Sequence, residues 1–96
     1  RVFELCKGVE KEFRSICYQS LGRDASGRSA SNVETTTLTC NLGQDFEQKS
    51  NCVIGAVKDF ISYYSSNVQA RQLCASLDQN LQKVCLKTAA NYYKNF

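Results

Sequence analysis

The segment "CNLGQDFEQKSNC", residues 40–52, decides how this chain folds. On one uninterrupted helix its terminal cysteines would lie roughly 18 Å apart, at about 1.5 Å of rise per residue. A disulfide needs Cα atoms within about 7 Å of each other. Either the helix breaks between the two cysteines, or each cysteine pairs elsewhere. The sequence offers a break at "LGQD", residues 42–45. Gly43 is a helix-stopping residue. Asp45 is a good N-cap, and with Gln48 it has the form of a capping box. The segment reads as the end of one helix, a tight turn, and a second helix running back.

Two further segments repeat the design: "CKGVEKEFRSIC" at residues 6–17 and "CASLDQNLQKVC" at 74–85. The three cysteine pairs enclose 10, 11 and 10 residues, and Cys6, Cys40 and Cys74 follow each other at intervals of 34. An acid sits seven residues before each second cysteine: Glu10, Asp45 and Asp78. The tripeptide Ser-Asn-Val begins at Ser31 and again at Ser66, and each Asn follows the preceding cysteine by 15 residues. Spacing, acid and tripeptide agree on one register. They describe a repeat of about 34 residues, the length scale of helical hairpins, present in not quite three copies.

Each copy becomes helix A, a turn and helix B. In an antiparallel hairpin the two cysteines of a pair come to nearly the same height. The economical connectivity is Cys6–Cys17, Cys40–Cys52 and Cys74–Cys85, one of the fifteen that six cysteines allow. Ser-Asn-Val marks the start of a helix A: Ser or Asn accepts bonds from free N–H groups, and Val begins the apolar stripe.

The apolar pattern supports helices. Leu81, Val84, Cys85, Ala89, Tyr92 and Tyr93 step by three and four, as do Phe46, Val53, Val57, Phe60, Ile61 and Tyr64. In the first copy Phe13, Ile16, Cys17 and Leu21 start the same stripe, which fades into "GRDASGRSAS" at residues 22–31. Glycine and serine there predict that the first helix B ends early and leaves a longer, mobile loop. Period-two alternation is absent, so strands are not expected.

Composition narrows the functions. Ninety-six residues make one domain, and at 43% hydrophobic the chain can form a core. An even count of six cysteines in so short a chain favours an oxidising compartment, extracellular or periplasmic. Arg1 leads directly into a charged amphipathic stretch, so a secretory leader is expected to be already removed or to lie upstream. No apolar run approaches the ~20 residues of a membrane span. The net charge of +3 comes from interspersed basic and acidic residues, with no nucleic-acid motif. The chain has no His, hence no imidazole base and no His ligand. Close C-x-x-C spacings and glycine-rich phosphate loops are absent too. No enzymatic activity, metal or cofactor is expected.

Tyr63, Tyr64, Tyr92 and Tyr93 form a candidate protein interface. Adjacent residues on a helix diverge by about 100°, which predicts one Tyr of each pair in the core and the other nearer the surface.

The segments "CVIGAVKDFISYY" at 52–64 and "ARQLCASLDQNLQKVCLKTAANYY" at 70–93 resemble the cysteine-paired helical repeats of secreted bacterial proteins, whose hairpins are tetratricopeptide-like. The shared pattern is a Cys late in helix A, a short turn, and a Cys in helix B followed by small residues, as in "CYQSLG" at 17–22. The resemblance spans nearly the whole chain and implies an extracellular scaffold or interaction module. "FELCKGV" at residues 3–9 is similar to the opening of the crustacean hyperglycaemic hormone family, six-cysteine helical ligands, and implies a secreted hormone- or toxin-type ligand as the alternative.

The expected fold is all-α: three tandem hairpins at residues 1–30, 31–65 and 66–96, stacked as a short solenoid and each closed by its own disulfide. The expected role is a secreted structural or protein-binding module, one that self-associates end to end or docks a protein partner. The blunt start before Cys6 suggests a docking end or a piece of a longer array, while "YYKNF" at 92–96 offers an amphipathic cap.

Overall fold

The computed structural model describes residues 2–28 and 32–95. They fold into a 3-10 turn, Val2–Cys6, and five α-helices: α1 (Lys11–Arg28), α2 (Val33–Cys40), α3 (Phe46–Tyr64), α4 (Val68–Ala75) and α5 (Gln79–Lys94). No strand occurs among the described residues.

Three disulfides tie successive elements together. Cys6 is bonded to Cys17, Cys40 to Cys52 and Cys74 to Cys85, with Cα separations of 5.7, 5.4 and 5.4 Å. The turns they span are local. Asp45 caps α3 by accepting from the Gln48 N–H at 2.9 Å, and Asp78 caps α5 by accepting from the Leu81 N–H at 3.0 Å. The Gln48 side chain does not return to Asp45, as a capping box would have it. It accepts from the Gln44 N–H at 2.8 Å, one residue earlier, and so fixes the turn ahead of the helix.

The chain does not use glycine to end its helices. No described glycine has a positive φ, and α2 and α4 end in right-handed turns at Asn41 and Ser76. Gly8 and Gly43 therefore do not act as left-handed stops. That conformation falls instead on Ser65 after α3, at φ 53°.

The helix-start tripeptides work by two different atoms. Asn32 Oδ1 accepts from the Thr35 N–H at 2.9 Å at the head of α2. At the head of α4 the Asn67 side chain makes no cap bond, and Ser66 Oγ accepts from the Val68 N–H at 3.2 Å. Ser31 lies outside the described residues.

Helix α3 is the centre of the molecule. It packs against α1, α2, α4 and α5, and its Val53, Ala56, Val57, Phe60 and Ile61 are fully buried. Each such large side chain contributes about 1.5–3 kcal/mol on leaving water. Helices α1 and α5 flank it, running in the same direction. Lys7 Nζ donates to Gln44 Oε1 at 3.1 Å just ahead of α1 and α3, and further along Gln19 Nε2 donates to Asn51 Oδ1 at 2.9 Å. On the other side Asp45 and Asp78 share a groove where α3 and α5 begin, and Ser62 Oγ lies 3.2 Å from Tyr92 Oη near their ends. The short helices α2 and α4 pack together as well, with Thr37 and Ser76 hydroxyls 2.8 Å apart.

The stretch expected to be a loop is largely helix. Residues 22–28 are the last two turns of α1; residues 29–31 lie outside the described part. Gly22 is there because α1 and α3 cross backbone against backbone. A Cβ at Gly22 would overlap the Cys52 carbonyl, and one at Gly55 would overlap the Gln19 carbonyl. Composition alone reads such small residues as loop signals, although here they set the closest approach of two helices.

Candidate interaction surfaces

All six cysteines are consumed in disulfides. Among the described residues no three Cys, Asp or Glu side chains gather in a metal-holding group.

The four tyrosines do not form one patch. Tyr63 and Tyr64 end α3 and meet edge to face, ring centroids 4.9 Å apart, with Tyr64 also edge-on to Phe60 at 6.3 Å. Both are exposed, Tyr63 at 64% and Tyr64 at 36%, so neither is a core residue. Helix α3 ends at Tyr64, whose ring rests on Phe60 and Tyr63. Tyr92 is half-buried beside Ser62 and has Lys58 Nζ 6.0 Å from its ring. It lines an open groove of about 330 Å³ between α3 and α5, with Ile54, Lys58, Thr88, Asn91 and Asn95. Tyr93 is exposed on another face of α5.

Sequence reasoning missed a second set. Phe13 and Ile16 were expected inside, yet they are 53% and 61% exposed. Helix α1 turns them away from α3 and presents Tyr18, Gly22 and Ser26 to the interior. Phe46 is likewise outside the core, 50% exposed at the first turn of α3. Leu5, Leu38 and Leu42 add further exposed apolar surface on the 3-10 turn, on α2 and just after it.

The burial of these residues has a register. Measured from the second cysteine of each pair, four positions earlier stand Phe13, Gln48 and Leu81: Phe13 is exposed, while Gln48 is 3% and Leu81 1% exposed. One position after the cysteine stand Tyr18, Val53 and Leu86: the first two are buried and Leu86 is 44% exposed. Eight positions after it stand Ala25, Phe60 and Tyr93, of which Tyr93 is the exposed one, at 44%. One face of α1 and one face of α5 thus carry apolar residues whose counterparts elsewhere are covered by a neighbouring helix. Periodicity shows that a helix has an apolar stripe. It does not say whether a neighbour is present to cover it.

No protein-family model, curated protein or solved structure matches this chain.

Proposed function

We propose that this chain is a non-enzymatic, secreted structural or protein-interaction module, a short solenoid of three disulfide-stapled hairpins over residues 1–30, 31–65 and 66–96. The register of burial carries the reading. Equivalent positions in successive copies are covered where a neighbour exists and bare at the two outer helices, the behaviour of a stack of similar units. The within-pair disulfides and the common direction of α1, α3 and α5 support the same architecture. Bare apolar faces of this kind mark contact surfaces. Three disulfides in 96 residues suit an oxidising, extracellular or periplasmic setting. No helix among the described residues is long and apolar enough to cross a membrane.

Non-reducing peptide mapping of the native protein, recovered from outside the producing cell, tests this reading. Three within-pair bridges and no free thiol are expected. Bridges between different pairs would overturn the hairpin stack and favour the compact hormone- or toxin-type ligand. Recovery only from the cytoplasm with reduced thiols would overturn secretion.

A further inference from the structure

We propose that the partner of the two bare faces is a second copy of this chain, with the outer face of α5 seated on the outer face of α1 in a head-to-tail stack. The proposal rests on the repeat reading above and names the occupant of its surfaces.

The internal interfaces supply the template. Where α3 follows α1, the positions one, five and eight after the first helix's cysteine (Tyr18, Gly22, Ala25) are buried, buried and half-buried, and Gly22 lies against α3. On α3 the positions four and one before its cysteine and three after it (Gln48, Asn51, Gly55) are buried or half-buried. Gln19 bonds Asn51 across this seam, and Gly22 and Gly55 each abut the other helix's backbone. The same positions are covered on α3 and on α5. Val53, Val57 and Phe60 are fully buried on one side, and Leu81 is buried with Val84 and Thr88 half-buried on the other.

Each outer helix holds one unused half of this seam. On α5 the donor positions are Leu86, Ala90 and Tyr93, all exposed. On α1 the acceptor positions are Phe13, Ile16 and Ser20, also exposed. The donor half presents a Leu, a small residue and a Tyr. The acceptor half presents two apolar residues and then a small hydroxyl one, as Leu81, Val84 and Thr88 do at the same positions of α5. The halves are complementary to one another and different from one another, so the contact is heterologous. A translation with a small rotation does not close, and repeated docking gives an open filament.

The test uses Ile16→Glu and Leu86→Glu, each placing a charge in one half of the seam. Wild-type chain is expected to grow in mass with concentration in sedimentation velocity, up to millimolar, and to form filaments by negative-stain microscopy. Each variant alone should associate at least about tenfold more weakly, a loss of about 1.4 kcal/mol. Mixing the two variants should restore a capped 1:1 dimer, because one keeps its α5 face and the other its α1 face. Leu38→Glu, on an exposed α2 position outside both halves, should associate as wild type does. Circular dichroism and non-reducing mapping report on fold and bridges in every sample. Cross-pair bridges would sink the repeat reading itself. Correct bridges with a monomer at every concentration would overturn only the head-to-tail contact, as would association that Leu38→Glu abolishes or a variant mixture that stays monomeric. Binding of a different protein by a strictly monomeric chain would overturn it likewise.

Discussion

Gly22 lies directly against the carbonyl of Cys52, so close that a Cβ at position 22 would overlap its oxygen. That carbonyl belongs to a helix interior and cannot rotate aside. Gly22→Ala must therefore push α1 away from α3 and loosen the packing around Tyr18 and Val53, both buried. Alanine is the better helix former by about 1 kcal/mol. Overpacking at this contact outweighs it, and a net loss of about 1–3 kcal/mol is expected in urea unfolding. Gly27, whose Cβ would meet nothing, gives the contrast: Gly27→Ala should be neutral or stabilising. Equal effects at the two sites would mean that α1 and α3 are not in backbone contact.

The same pair explains what the sequence could and could not disclose. Val53, Val57, Phe60 and Ile61 were legible, because a stripe of large apolar residues at helical spacing has one economical use, and all four are fully buried. The cysteine spacing was legible because a bridge over ten or eleven residues forces a reversal. Gly22 was not, since glycine signals a loop and a close crossing alike. Nor were Phe13 and Ile16, which face outward although Cys17 and Leu21 of the same stripe pack on the core. Their exposure depends on where neighbouring helices stop, which local pattern does not encode.

The two Ser-Asn-Val tripeptides should respond differently to the same substitution. Asn32→Ala removes the acceptor for the Thr35 N–H and should cost about 1 kcal/mol. Asn67→Ala removes no cap bond and should be nearly neutral. Ser66→Ala, which deletes the acceptor for the Val68 N–H, should cost more than Asn67→Ala. Thermal unfolding of the three variants checks the ranking. A large loss at Asn67 would show that the tripeptide acts as a unit rather than through one atom per site.

Ser65 ends α3 in the left-handed region at φ 53°. An L-residue with a Cβ is disfavoured there by roughly 1–2 kcal/mol, a cost that glycine avoids. Glycine gives part of that back through its freer unfolded chain. Ser65→Gly should thus stabilise the protein by about 0.5–1 kcal/mol in denaturant titration. A destabilised variant would indicate that the serine side chain holds this helix end.

The disulfides should open in a fixed order. Cys40, Cys52, Cys74 and Cys85 are fully buried, whereas Cys17 is partly exposed beside the short Val2–Cys6 turn. Thiol–disulfide exchange requires a thiolate to reach a sulfur, so access sets the rate. Under mild reductant Cys6–Cys17 should be lost first, Cys74–Cys85 later, and Cys40–Cys52, beside the central helix, last. The stability cost follows a different rule. Each bridge closes a loop of similar length, 11 or 12 residues by sequence separation, and constrains the unfolded chain by about 3 kcal/mol. Replacing Cys40 and Cys52 by alanine also disturbs packing at α3. That pair should cost more than the Cys6 and Cys17 pair, whose loss frees mainly the turn held by Phe3 on Tyr18. Alkylation trapping with mass spectrometry reads the order, and urea unfolding of the double-alanine variants reads the cost. First loss of Cys40–Cys52 would contradict a central α3, because the bridge nearest the middle of the core would then be the most accessible one.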